Sequence, residues 1–185
     1  MIEQFIGTGV ALITPFNDDL SIDHKTLSKL VEFNISNKIE YLVINGTTGE
    51  SVTITKEEKK AIIKTVLETN RNRVPVVLGI GGNNTQALLN EISDTDFTGI
   101  DAILSVSPYY SKPTQEGIYQ HFKAISAASP LPIILYNVPG RTSSNMLPET
   151  IVRLAKDFDN IIAVKKGGKN VTQAARLLKQ KPEAP

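Results

Sequence analysis

Short apolar runs rich in β-branched residues recur along the chain, at VALIT (10–14), YLVI (41–44), VPVVLGI (74–80), IDAILSV (100–106), LPIILY (131–136) and NIIAVK (160–165). Runs of this length, apolar on both faces, predict six buried strands. The stretches between them are polar, with apolar residues at helical spacing: Leu27, Leu30, Val31 and Ile35, then Ile62, Ile63, Val66 and Leu67, then Ile151, Val152, Leu154 and Ala155. Each set fills one stripe of an amphipathic helix. Helix starts are encoded locally. Thr55 with Glu58 three residues later forms a capping box, Asp23 can cap the first helix, and Pro148 fits a first turn, where its missing N–H is no loss.

Strands buried on both faces and alternating with helices predict a parallel sheet, because each crossover must return the chain right-handedly to the same sheet. A doubly wound sheet and a barrel both satisfy this pattern. GTGVALITPF (7–16) is not a dinucleotide-binding glycine fingerprint. Polar, Gly-rich and Tyr-rich segments follow strands 2, 4, 5 and 6, at the rim where barrel enzymes gather their chemistry. The expectation is an α/β fold, a (β/α)8 TIM barrel of which about six βα units are present, forming a single incomplete domain over residues 1–185. A seventh helix is expected in VTQAARLLKQ (171–180), after which KPEAP ends the chain about two units short of closure. Strands 1 and 6 would then carry unpaired edges.

Composition narrows the function classes. Twenty Lys and Arg against 19 Asp and Glu leave a net charge of +1, which supplies no broad attraction to nucleic acid or anionic membrane. Cysteine is absent, so thiolate nucleophiles, disulfides and Cys-based metal sites are excluded, in keeping with a reducing compartment. MIEQFIGTGV has no signal-peptide pattern and no apolar run reaches roughly 18 residues. A cytoplasmic protein with small-molecule partners is expected. His24 and His121 fall in separate predicted helices, and the carboxylates lack metal-ligand spacing. Glu57 and Glu58 are accounted for by helix N-terminal electrostatics. No metal site is expected.

Lys165 ends the sixth strand, and alternation places it with Ile161 and Ala163 on one face while Lys166 points the other way. A partly desolvated ammonium there loses pKa and becomes a better amine nucleophile toward a ketone. A solvated strand-end lysine is the commoner state of such a residue. GTTGES (46–51) follows strand 2. Its glycines and the hydroxyls of Thr47 and Thr48 suit a carboxylate, although Gly-rich strand-to-helix turns are frequent. Tyr109 and Tyr110 follow strand 4 and Tyr136 ends strand 5. Their phenols can relay protons or serve as ordinary packing residues. Arg141 offers a fork for a second carboxylate, or is a structural loop arginine.

Together these segments resemble the dihydrodipicolinate synthase and N-acetylneuraminate lyase family, and its synthase branch most closely. The likeness runs from GTGVALITPF through GTTGES, PYYSKPTQEGIYQHF (108–122) and LYNVPGRTS (135–143) to NIIAVK. The resemblance implies a class I aldolase that joins pyruvate to L-aspartate 4-semialdehyde on the route to diaminopimelate and lysine, with no metal or organic cofactor. It implies that Lys165 forms the imine, that Thr47 and Thr48 hold the pyruvate carboxylate, and that Tyr136, Thr47 and Tyr110 form the proton relay. Arg141 would bind the aldehyde substrate. In the family the tyrosine matching Tyr110 reaches the site of a second subunit, which implies a homodimer or homotetramer.

Ser51, Asn83 and Tyr109 match the family's lysine-regulated positions, but Ala87 stands where lysine-sensitive members carry glutamate, which implies weak or absent inhibition. The sequence departs from the family after the nucleophile, where a KEASGN-type run is usual and this chain reads KKGGKN (165–170). That departure, together with the early stop, motivates an alternative reading: a catalytically inactive remnant that binds an oxoacid or a partner chain.

Overall fold

The computed structural model describes residues 2–180, which fall into two compact units, residues 2–79 with Phe97–Ala102 and Ile80–Asp96 with residues 103–180. In the first unit β1 (Gly9–Ala11), β2 (Tyr41–Ile44) and β3 (Val76–Gly79) run parallel in the order 1-2-3. The register sets Val10 beside Leu42 and Leu42 beside Val76. Leu42, Val76 and Val77 are wholly buried, as a strand apolar on both faces requires. The first strand is shorter than the apolar run predicts. Leu12 still donates to the Val43 carbonyl at 2.9 Å, but the ladder ends at Ala11 and Ile13 is exposed as the chain turns toward Pro15. Gly79 must lack a side chain, because a Cβ there would lie 2.2 Å from the backbone oxygen of Asn45, itself left-handed at φ 51°.

Two helices complete this unit, α1 (His24–Ser36) and α2 (Lys56–Asn70). They bury the predicted stripes, with Leu27, Val31, Ile62 and Val66 in the core. His24 Nδ1 lies 2.8 Å from Thr65 Oγ1, tying one helix to the other. Asp23 caps α1 by accepting from the Thr26 N–H at 2.9 Å. The capping box of α2 is complete: Thr55 Oγ1 accepts from the Glu58 N–H at 3.2 Å, and the Thr55 N–H donates back to Glu58 Oε2 at 2.7 Å. Thr55→Ala is expected to cost about 1 kcal/mol and to lower the melting temperature by roughly 2–4 °C, read by calorimetry, while Thr55→Gly costs a few tenths of that.

The second unit contains β4 (Ala102–Val106), β5 (Ile133–Asn137) and β6 (Ile161–Lys166), parallel in the order 4-5-6. Its helices are α3 (Thr85–Asp94), α4 (Gln115–Ala128), the four-residue α5 (Pro139–Thr142), α6 (Pro148–Asp157) and α7 (Val171–Gln180). Pro148 occupies the first turn of α6 as expected. Ile103, Ile118, Phe122, Ile125, Ile133, Leu135, Met146 and Leu154 make the core, each under 2% exposed. The expected seventh helix is present, but it buries none of its residues, and Val171 and Leu178 are 78% and 68% exposed.

His121, on α4, sits in this core with Nδ1 2.8 Å from Thr85 Oγ1 and, among the described residues, no hydrogen-bond partner for Nε2. Burial holds its pKa down to about 4. The folded protein therefore keeps the ring neutral, while an unfolded chain protonates it near the ordinary 6.5. The unfolded state binds more protons between those two values. Stability is full above about pH 6.5 and falls as the pH drops toward about 4, by up to roughly 3 kcal/mol. Urea midpoints measured across that window should show the slope, and His121→Gln should flatten it.

Candidate active site

The second unit places most of the predicted residues. Register across its sheet aligns Val106 with Tyr136 and Tyr136 with Lys165, and, two residues earlier, Leu104 with Ile134 and Ile134 with Ala163. These six side chains share one face. Ser105, Leu135 and Val164 take the other, as do Asn137 and Lys166. Lys165 and Lys166 therefore point to opposite sides, as alternation predicts.

The same alternation fails for Ile161. It pairs with Ile133 while Ala163 pairs with Ile134, so an extra residue is accommodated between them and the side-chain order flips. Ile161 is thus buried on the face opposite Lys165, not beside it.

Lys165 Nζ stands 4.7 Å from the ring centroid of Tyr136, within the range of a cation–π contact. Solvent reaches the Lys165 side chain, so its desolvation is partial. Packing around the ammonium nevertheless costs it hydration and lowers its pKa below the ordinary lysine value. Tyr136 itself is only 9% exposed, so the amine has one aromatic wall and one open side. Lys166 Nζ is turned away and donates to the Gly168 carbonyl at 3.3 Å.

Tyr110 projects its ring into solvent, 85% exposed, from a left-handed backbone at φ 71°. Such a φ is unfavourable for an aromatic residue and persists because neighbours hold it. The Tyr110 N–H donates to the Thr142 carbonyl at 3.3 Å, and Asn83 Nδ2 donates to the Tyr109 carbonyl at 3.3 Å. Arg141 lies in α5, with its guanidinium exposed.

In the first unit, Thr47 and Thr48 open a single 3-10 turn, Thr47–Gly49, directly after β2, and both are exposed. Thr14 Oγ1 donates to the Gly49 carbonyl at 2.6 Å and anchors the turn from below. Asn45 precedes it, buried, with no partner for Oδ1 among the described residues. Asn45, like Asn137, a buried amide at the end of β5, is marked in the sequence only as a lone polar residue closing an otherwise apolar strand. Among the described residues no three His, Asp or Glu side chains are grouped as a metal would need, and no helix is long and apolar enough to cross a membrane.

The model of the dihydrodipicolinate synthetase family matches residues 4–184. The 4-hydroxy-tetrahydrodipicolinate synthase of Flavobacterium psychrophilum is 55% identical over 182 residues, covering 98% of this chain and 62% of that protein. Among solved structures, the chloride-inhibited dihydrodipicolinate synthase of Acinetobacter baumannii complexed with pyruvate superposes with a TM-score of 0.88 at 41% identity, over 95% of this chain and 61% of that one. A monomeric dihydrodipicolinate synthase variant gives 0.92 at 38% identity, over 97% and 59%. The chain thus spans between 59% and 62% of the length of these relatives. The expected fold, about six βα units of a (β/α)8 barrel, agrees with these neighbours.

Proposed function

Because the chain belongs to the dihydrodipicolinate synthetase family, we propose that it is a Schiff-base aldolase condensing pyruvate with L-aspartate 4-semialdehyde to give 4-hydroxy-tetrahydrodipicolinate, in diaminopimelate and lysine biosynthesis. The observation that carries this reading is the Lys165 amine, its pKa lowered by lost hydration, standing against the Tyr136 ring at the C-terminal end of adjacent parallel strands.

In this reading the neutral Lys165 amine attacks C2 of pyruvate, and loss of water leaves an imine. The imine nitrogen draws electrons, a methyl proton leaves, and the resulting enamine carbon attacks the aldehyde carbon of the second substrate. Cyclisation then releases the lysine amine. Tyr136, the register partner of Lys165, is suited to giving a proton to the departing hydroxyl and taking one from the methyl carbon, with Thr47 and Tyr110 completing the relay. Thr47 and Thr48 hold the pyruvate carboxylate. The exposed guanidinium of Arg141 takes the carboxylate of the semialdehyde as a bidentate partner.

The near-complete exposure of Tyr110 suits a phenol that works in the site of a second copy, so the active form is a homodimer or homotetramer. A cytoplasmic setting belongs with the same reading.

Borohydride reduction in the presence of pyruvate, followed by intact-mass analysis and peptide mapping, tests the proposal. One pyruvyl adduct on Lys165 is expected. A folded chain that stays unmodified would favour the non-enzymatic alternative, and an adduct on Lys166 would overturn the assignment of the nucleophile.

A further inference from the structure

The loop bearing Arg141 leaves β5 at Val138 and returns at Met146, and one side chain joins its two ends. Asn137, the last residue of β5, is 2% exposed. Its Oδ1 accepts from the Met146 N–H at 3.1 Å, and its Nδ2 donates to the Met146 carbonyl at 3.1 Å and to Asn145 Oδ1 at 3.0 Å. A single amide thus grips both backbone groups of Met146, whose own side chain is wholly buried. No other side chain of that size offers a donor and an acceptor in this arrangement: aspartate would set an oxygen against the Met146 carbonyl, and leucine would take the acceptor from the Met146 N–H.

Two further amides hold the same end. Gln173 of α7 donates to the Met146 carbonyl at 2.7 Å and to Asn145 Oδ1 at 3.2 Å. Gln115, at the start of α4, donates to the Asn145 carbonyl at 2.9 Å and accepts from the Leu147 N–H at 3.0 Å. Between the ends, α5 is a single turn of four residues, far too short to hold itself as a helix. Where Arg141 stands is therefore set by the two held ends together with the Tyr110 N–H to Thr142 carbonyl bond and the 3.2 Å contact between the Ser107 and Ser144 hydroxyls.

We propose that Asn137 is a positioning residue: by clasping Met146 to the end of β5, it sets the place from which Arg141 meets the carboxylate of the aldehyde substrate. The clasp is a property of the loop, and its consequence for substrate rests on the aldolase reading given above. Asn137 adjoins Tyr136 in sequence but lies on the opposite face of the sheet from Lys165, so its loss should disturb the aldehyde and spare the imine.

The test compares the full chain with Asn137→Ala in limited trypsin digestion and in kinetics. Cleavage after Arg141 is expected to accelerate by about tenfold or more, because the Met146 N–H loses its acceptor and the loop opens. Cleavage at distant sites such as Lys60 should change by less than about twofold. In turnover, KM for the semialdehyde is expected to rise about tenfold while borohydride trapping of pyruvate on Lys165 stays within about twofold.

Unchanged cleavage after Arg141, or equal acceleration at every site, would overturn the clasp. A loosened loop with KM unaltered would overturn its link to Arg141. If the unsubstituted chain traps no pyruvate, the aldolase reading fails and the digestion pattern alone decides the clasp. If Asn137→Ala does not fold, Gln173→Ala, which removes two bonds from the same loop end, is measured in the same way with the same outcomes.

Discussion

Replacing Lys165 by alanine is expected to abolish the borohydride-fixed pyruvate adduct and all turnover while moving the melting temperature by no more than about 2 °C. The two halves of that result have separate causes. Only a primary amine able to lose its proton can form the imine, so nothing in alanine substitutes for it. The side chain is solvent-exposed and lies against the Tyr136 ring at the end of its strand, so its removal opens no cavity in the core.

Lys166→Ala should keep the adduct, because Lys166 lies on the other face and its amine is engaged by the Gly168 carbonyl. The rate of adduct formation should rise with pH as the Lys165 ammonium deprotonates. Lost hydration lowers the folded pKa, so the rise should level off at lower pH than it does for a free lysine side chain of ordinary pKa 10.5. A profile that coincides with the free amine, measured by quenching with borohydride at fixed times, would remove the physical basis for choosing this lysine.

The largest effect on stability is expected at Phe122. Its ring is wholly buried on α4, edge-on to His121 with centroids 5.2 Å apart. Phe122→Ala should cost about 3–5 kcal/mol, from lost transfer energy plus the cavity left behind. Against a total of roughly 5–15 kcal/mol for a typical native protein, this is enough to populate unfolded chains at moderate temperature. Urea unfolding should show the midpoint falling with an unchanged slope. Phe122→Leu should cost much less, because most of the volume is kept.

Much of the fold was legible in the sequence because its signals are local. Six apolar runs marked six strands, and the capping box at Thr55 and the proline at 148 marked the starts of α2 and α6. The opposition of Lys165 and Lys166 follows from strand alternation, which needs no partner. Ile161 was misplaced for the complementary reason. Its orientation depends on an extra residue accommodated against β5, and pairing partners 28 residues apart in the chain, Ile133 and Ile161, leave no mark in a local pattern.

The candidate site divides in the same way. Residue types, their order along the chain and the family resemblance named Lys165, Tyr136, Tyr110, Arg141, Thr47 and Thr48 as candidates. The 4.7 Å approach of the Lys165 ammonium to the Tyr136 ring, the openness of that lysine to solvent and the exposure of Tyr110 came from register and packing. Asn137 is the clearest case. In sequence it is one polar residue after the apolar run LPIILY ends at Tyr136, and only the folded return of Met146 shows that it clasps a loop.

By itself the sequence determined the strand and helix elements, the opposite faces of Lys165 and Lys166 and the family resemblance, because these rest on periodicity and short motifs within a few residues of one another. The tertiary structure alone decided which side chains meet and how much water each keeps. Those depend on contacts between distant segments, whose energies no local pattern contains.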